Sequence, residues 1–272
     1  MIYVYIHMKT EHATYMFATV LAIIIVYQTY SLAFAQSPVT AIYAQVLPDE
    51  GFTLKATWGD AVSNMVEAGV LDPARLETIL KQGYKQDMKP EWNAILKGED
   101  AELSIDSENS VFMMYVLWTL AKHNNVSLIH ESAFAQSFEG YDIGVGRAGY
   151  GDTLIINLTE EQLALARSIA QNSYRPCCGQ SAANPDCSHG FAALGLIELM
   201  ISQGFTENEI YGAFVKVNSF WFPSTYIQDA MYFKEAEGLE WKDVDRKLVA
   251  GPAFSSIQGA AQVKNYLQNK GY

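Results

Sequence analysis

Apolar residues recur every three or four positions along most of the chain after residue 50, and this spacing predicts amphipathic helices. The segment TWGDAVSNMVEAG places Trp58, Val62 and Met65 on one helical face before a glycine ends it. In the following segment, Asp72 is a natural N-cap and Pro73 occupies the first helical position. Two helices joined by a short glycine-containing link predict an αα-hairpin.

A second hairpin is predicted from FAALGLIELMISQG and the segment after it, where Thr206 and Glu209 have the spacing of a capping box. Between the two hairpins, the pattern predicts a strongly apolar helix from about Glu108 to His123 and another helix capped by Thr159. Three more helices are predicted after Pro223. We therefore expect an all-α fold, a multi-helix bundle of αα-hairpins with about eight helices.

Residues 130–158 interrupt the helical pattern, with five glycines in the twelve residues 140–151. The segment GVGRAG at 144–149 has the spacing of a dinucleotide-binding fingerprint, but that fingerprint requires a helix after it. An extended segment, DTLIINL, follows instead. We therefore expect no nucleotide here, and predict a glycine-rich irregular or hairpin insertion that is a candidate lid or binding loop.

The first 35 residues differ in character from the rest of the chain. Met16–Tyr27 is a continuous apolar run, and Ala33–Ala35 has the small-x-small pattern that precedes signal-peptide cleavage, here before Gln36. The run is shorter than the roughly 20 residues of a membrane-spanning helix. A signal peptide over 1–35 is therefore expected, with an uncleaved anchor over 16–32 as the alternative.

Cleavage would leave residues 36–272 as a single helical domain, with possible sub-domains over 50–125 and 159–272. The protein is then secreted or extracytoplasmic, and any membrane association would come from an uncleaved N-terminal segment. Its net charge of −12 argues against nucleic acid as a partner, because an acidic surface does not neutralise phosphates. Asn125 and Asn157 lie in glycosylation patterns, which an exported chain permits.

All three cysteines lie in one loop, RPCCGQSAANPDCSHG, which also contains a histidine. Cys177, Cys178, Cys187 and His189 are therefore candidate metal ligands, since soft thiolates and an imidazole suit Cu(I) or Zn(II), and an iron–sulfur cluster less well. Adjacent cysteines rarely bind one ion together without strain, so three ligands are expected more readily than four. An open fourth position allows binding, transfer or catalysis, and whether the chain is an enzyme stays open.

Two other interpretations of the loop remain open. In the first, Cys187 forms a disulfide with Cys177 or Cys178, and the chain is a non-catalytic interaction domain stapled at this loop. In the second, the thiols exchange disulfides with a partner, and His189 or the helix end lowers the pKa of the attacking thiol. The count of three leaves one thiol over in a simple staple, which favours the metal site.

The start of the helix after the loop is expected to influence this chemistry. Asp186 or Ser188 is the predicted cap, which puts His189 in the first turn. Cys187 then lies at the positive end of the helix dipole, where a thiolate is favoured and the cysteine pKa is lowered. On these grounds we expect Cys187 and His189 to matter more for metal binding than either of the adjacent cysteines alone.

From Phe191 to Ile201 that helix has one polar side chain, Glu198, and a helix that is apolar on every side is buried. A buried carboxyl must be paired, protonated or bound to a metal. Arg175 and Lys216 are the candidate partners, and a structural role is favoured over a functional one.

Three consecutive aromatic residues, Phe220–Phe222, stop at a proline. Ordinary core packing is the favoured interpretation; the alternative is an apolar wall over the cysteine loop, formed around Trp221 with Asn218 and Tyr226 as polar contacts. The predicted surroundings of the metal site are then Arg175, Glu198, Asn218, Trp221 and Tyr226.

Overall fold

A computed structural model describes residues 19–28, 38–132, 151 and 153–272. The chain divides into two units, Met1–Ala44 and Gln45–Tyr272. In the first unit, residues 19–28 form a helix whose side chains are exposed. Within the described residues, no helix has both the length and the apolar character needed to cross a membrane. The predicted cleavage site at Ala33–Ala35 lies outside the described residues, so export stays a prediction.

Helices account for most of the described chain, as the apolar spacing predicted. After the helix at 19–28 they are α1 Pro38–Val46, α2 Ala61–Glu67, α3 Pro73–Tyr84, α4 Pro90–Leu96, α5 Ser110–His123, α6 Glu160–Gln171, α7 Ser188–Ser202, α8 Glu207–Trp221, α9 Pro223–Tyr232, α10 Arg246–Ala250, α11 Pro252–Ser255 and α12 Ile257–Asn269. Short 3₁₀ helices occupy Leu128–Glu131 and Trp241–Asp243, and a short π-helix occupies Phe233–Glu237. The grouping of the helices into αα-hairpins stays a prediction.

A small antiparallel sheet was not predicted from the sequence. Its strands are β1, Phe52–Thr57, and β2, Glu102–Ile105, and their register is irregular between Thr53 and Thr57. At this irregularity Lys55 adopts a positive φ of 64°. The strands are too short for an alternating pattern to stand out, and their pairing joins segments far apart in the sequence.

The predicted helix starts are confirmed where a side chain caps its own helix. The Asp72 carboxylate accepts hydrogen bonds from the backbone N–H groups of the first turn of α3. Thr159 and Thr206 each form a capping box with the third helical residue of α6 and α8. The helix predicted to include Trp58 instead begins at Ala61, because the residues just before it belong to strand β1 and a turn.

Helix α7 lies in the core, as its apolar sequence predicted. Every residue from Gly190 to Ile201 is buried. Its closest partner is α5, and a Cβ at Gly195 would lie 2.2 Å from the Leu117 carbonyl oxygen, so the two backbones meet at a position that excludes a side chain. The N-terminus of this buried helix is the point where the cysteine loop joins the core.

The glycine-rich insertion falls mostly outside the described residues, at 133–150 and 152. The end that is described returns to the helical body through a parallel bridge between Asn124 and Thr153. The Asn124 side chain also accepts hydrogen bonds from the backbone N–H groups of Ile155 and Ile156, at 3.0 and 3.3 Å. The predicted hairpin or lid therefore stays a prediction.

Candidate metal centre

The cysteine loop connects α6 to α7 and is fastened to the C-terminal part of the chain. The Tyr174 N–H donates to the Ala250 carbonyl at 2.8 Å, and the Ile257 N–H donates to the Cys178 carbonyl at 3.0 Å. These bonds fix the backbone on both sides of the adjacent cysteines. Besides α6 and α7, which the loop connects, the end of α10 and the start of α12 therefore hold it in place.

Three of the four predicted ligands lie together. The sulfurs of Cys177 and Cys187 and a ring nitrogen of His189 are all within 4.8 Å of one another. The two sulfurs are 3.6 Å apart. Cys177 is exposed and Cys187 is partly exposed, so the group opens to solvent. This set, the primary cluster, has the composition of a Cys₂His metal site.

Cys178 belongs to a second, overlapping group. Its sulfur accepts a hydrogen bond from Arg175 Nη2 at 3.2 Å and lies 3.2 Å from Asp186 Oδ1, to which the thiol donates. Cys178, Asp186 and Cys187 also lie within 4.8 Å of one another. Cys187 is thus shared by both groups, while the neighbouring cysteines point to different partners.

The start of α7 differs from the prediction. Cys187 itself is the N-cap residue, with an extended backbone and no side-chain capping bond, and Ser188 is the first helical residue. Asp186 does not cap the helix, because its carboxylate forms an ion pair with Arg175 at 2.8 Å. The placement of His189 in the first turn is confirmed.

The thiols of the loop differ in acidity. A hydrogen bond from Cys177 is the main cause that lowers the pKa of Cys187 to about 4; burial opposes it, and His189, the Arg175 charge and the Gly190 N–H add to the lowering. The hydrogen bond to Cys187 and burial raise the pKa of Cys177. Burial also raises the pKa of Cys178. The hydrogen bond between them therefore favours a thiolate on Cys187 and a thiol on Cys177.

Arg175 is fully buried and lies against the first turn of α7. A Cβ at Gly190 would be 2.8 Å from both Arg175 Cζ and the Pro185 side chain, so only glycine leaves room for the guanidinium. Burial lowers the Arg175 pKa, but electrostatic attraction by the three loop cysteines, Cys187 first, and by Asp186 more than offsets it and raises the pKa overall. Arg175 thus links the two ends of the loop as a positioning residue.

The aromatic residues at the end of α8 form part of a wall beside the cluster. The His189 ring centroid lies 5.6 Å from that of Trp221 and 4.8 Å from that of Phe222. Phe220 points elsewhere and packs edge-on against Phe52. Two of the three rings therefore confine His189.

Asn218 and Tyr226 lie beneath the loop, inside the protein. Asn218 Nδ2 donates to the Tyr174 carbonyl and to the Tyr226 hydroxyl, and the Tyr226 hydroxyl is 2.7 Å from Ser255 Oγ. Both residues are fully buried. They support the loop backbone, and they are not exposed contacts for a ligand.

Glu198 lies outside the cluster, and the predicted pairing with Arg175 or Lys216 is wrong. Its Oε1 accepts hydrogen bonds from Ser127 Oγ at 3.0 Å and from the Leu128 N–H at 2.8 Å. Burial raises its pKa to about 8. The Glu198 carboxyl therefore caps the 3₁₀ helix Leu128–Glu131 and is largely protonated at neutral pH. Protonation was one of the alternatives that the sequence offered for a buried acid.

The sequence predicted Asp186 as a helix cap, whereas the structure places it beside the cysteines as the ion-pair partner of Arg175. It offers a carboxylate oxygen to the same region as Cys178 and Cys187, and it pairs with Arg175. The sequence contained a signal for this ion pair in its charges. A buried arginine needs an acidic partner, and Asp186 is the one acidic residue in the loop that begins with Arg175.

Comparison of the chain with protein-family models, with curated proteins and with solved structures found no match.

Proposed function

We propose that this chain is an exported helical protein whose cysteine loop binds a thiophilic metal ion, Cu or Zn. The observation that carries the proposal is the convergence of Cys177, Cys187 and His189 within 4.8 Å. Thiolate sulfur and imidazole nitrogen are the ligands that both metals accept.

The spacing of the two sulfurs supports a metal site. Two thiolates that share one tetrahedral Zn²⁺, with bonds of about 2.3 Å, lie about 3.8 Å apart. Sulfurs joined in a disulfide lie about 2.05 Å apart. The observed 3.6 Å between Cys177 and Cys187 is close to the first value, so an ion can be held with little movement of the loop.

The site offers three ligands and an open position. Cys177, Cys187 and His189 form one side of the coordination sphere, and exposed Cys177 leaves the other side accessible. Cys178 is held by Arg175 and Asp186, so it serves as a reserve ligand on the other side of Cys187. An open position suits ion transfer or a metal-bound water. The protein would act as a metal carrier in the first case and as an enzyme in the second.

Substitution of single ligands tests this function. We expect Cys187→Ser or His189→Ala to abolish bound metal, and Cys177→Ser to remove most of it. Cys178→Ser is the matched control, because it makes the same chemical change at the adjacent position but outside the primary cluster, and it should retain most of the metal. The measurement is elemental analysis of protein purified without reductant or chelator.

Equal metal content in wild type and His189→Ala would falsify the site. Thiol titration with and without a chelator then identifies a staple: one reactive thiol under both conditions indicates a disulfide, whereas a metal site exposes up to three thiols when the ion is removed. If the loop is only a disulfide staple, His189→Ala should leave both metal content and stability unchanged. Cys187→Ser should then lower stability without changing metal content.

Thiol–disulfide exchange is the second candidate, favoured by the thiolate of Cys187 beside the thiol of Cys177. Cys187 would attack a disulfide of a partner and release one thiolate; Cys177, once deprotonated, would displace the second and leave a Cys177–Cys187 disulfide. Reduction of a small disulfide that requires both cysteines, by protein that contains no metal, would favour this function over metal binding.

A further inference from the structure

A second site lies away from the cysteine loop, in a pocket of about 220 Å³ between strand β1, helix α8 and the segment that contains α10. We call it the cation pocket. Its main lining side chains are Phe52, Lys216, Trp241, Lys242 and Arg246. It is smaller than the roughly 300–1,000 Å³ of sites for drug-sized molecules, so its size suits a small solute.

Three cations line this pocket, and none of the described residues that line it is acidic. The chain as a whole has 30 acidic residues and only 18 lysines and arginines, so a lining with three cations departs from the average surface charge. In the described part of the chain, no acidic side chain forms an ion pair with Lys216 or Arg246. Two acids act on this region from outside the lining. Glu240 pairs with Lys234, accepts a hydrogen bond from the lining Gln45 and attracts Lys242, and Asp243 acts on Arg246 from beyond ion-pair distance.

Aromatic rings hold two of these cations without neutralising them. Lys216 Nζ lies 5.1 Å from the centroid of Phe52, and Arg246 Cζ lies 4.5 Å from that of Trp241. Arg246 Nη2 also donates to the Trp241 carbonyl, while its buried Nη1 has no acceptor among the described residues. A cation over a ring is positioned but keeps its charge, so it can still attract an anion.

The pocket gathers like charges at an energetic cost. Burial, and then the nearby positive charges of Arg246 and Lys55, lower the pKa of Lys216. Lys55 also adopts the positive φ at the irregularity in β1, a conformation that costs a non-glycine residue free energy. An anion in the pocket would relieve the repulsion among these side chains.

We infer that the cation pocket binds a small tetrahedral oxyanion, the phosphoryl or sulfate group of a small solute. A dianion neutralises two cations at once, which matches the presence of Lys216 and Arg246 in one lining, and guanidinium and ammonium groups are the usual partners of such oxyanions. A single carboxylate would leave one of these charges unmatched. The site is independent of the cysteine loop and does not rest on metal binding.

Calorimetric titration at constant ionic strength tests the inference, with sodium phosphate, sulfate and acetate as probes. We expect saturable binding of phosphate and sulfate at one site, and Lys216→Gln to weaken it at least tenfold. Lys264→Gln is the matched control, because it makes the same charge change on an exposed part of α12 and should leave the affinity unchanged.

The absence of saturable phosphate and sulfate binding by the wild type, or equal affinity in the Lys216→Gln variant, overturns the site. Acetate affinity equal to that of phosphate overturns the tetrahedral class. A second readout needs no variant: phosphate should slow the reaction of an amine reagent with Lys216, but not with Lys264, when peptides are compared by mass spectrometry. Equal protection of the two lysines also overturns the site. Metal content measured in the same samples separates this result from the metal proposal.

Discussion

At position 198 a carboxyl group lies fully inside the protein, with one oxygen bonded to Ser127 and Leu128 and the other without a partner among the described residues. Burial penalises the ionised form, which raises the Glu198 pKa to about 8. Because an unfolded glutamate ionises at about pH 4.3, the native state binds one more proton than the unfolded state between these two values. The contribution of the protonated Glu198 carboxyl to stability is therefore present at low pH, and it is lost as the pH rises from about 4.3 to about 8.

We expect Glu198→Gln to flatten this dependence. From pH 5 to pH 8, the unfolding free energy of the variant should rise relative to that of the wild type by on the order of 2–4 kcal/mol. Denaturant unfolding at several pH values measures the slope. Asp229, whose pKa burial also raises, contributes equally to both proteins and cancels. An exposed control, Glu77→Gln, should reproduce the wild-type slope, and a parallel slope for Glu198→Gln would contradict the expectation.

Among the helices, α7 determines where the loop chemistry lies. It is buried along its length from Gly190 onward, and its N-terminus presents Cys187 and His189 at the surface. Its position depends on a close approach to α5 at Gly195, where a Cβ would lie 2.2 Å from the Leu117 carbonyl oxygen. A side chain at Gly195 must push the two helix backbones apart, because the atoms it would meet first belong to the backbone of Leu117 and not to a flexible side chain.

Substitution of this glycine tests the helix contact. We expect Gly195→Ala to lower the unfolding free energy by about 2 kcal/mol or more, the cost of overpacking a core where the backbone must move. Gly212→Ala is the matched control in α8, because nothing lies within 4 Å of its added Cβ. It should leave stability equal or raise it by up to about 1 kcal/mol through helix propensity. Chemical denaturation of both variants measures the difference; similar stabilities would refute the close contact.

For the whole molecule, the predicted location of the chain bears on the chemistry of its thiols. The pattern before residue 36 predicts export, and export would place the three thiols in an oxidising environment where metal binding and disulfide formation compete. The net charge of −12 favours attraction of cations over anions at long range. Binding of an oxyanion in the cation pocket must therefore depend on local charge.

N-terminal sequencing of soluble protein from the native host tests export. We expect the sequence to begin at Gln36 or within a residue or two of it, because Ala33–Ala35 offers the small side chains that signal peptidase requires. Soluble protein that retains residue 1 would contradict cleavage. A membrane-bound form that retains the apolar run would indicate the anchor instead.

Features that depend on a few neighbouring residues could be derived from the amino-acid order. The caps at Asp72, Thr159 and Thr206 are examples, because each carboxylate or hydroxyl bonds N–H groups two or three residues ahead. The cysteine loop could be located for the same reason: a Cys-x-His pair is held together by local helix geometry, whatever the rest of the chain does.

Partners distant in the chain depended on the tertiary structure. Strand β1 pairs with β2 across an intervening set of helices, and Glu198 bonds to Ser127, which is 71 residues away. Even within the loop, the division between Cys177 and Cys178 depended on a buried Arg175 held against Gly190. Side chains that lie far apart in the sequence, or whose direction is set by what packs behind them, meet only when the surrounding helices assemble. No local hydrogen-bond or periodicity rule specifies those distances.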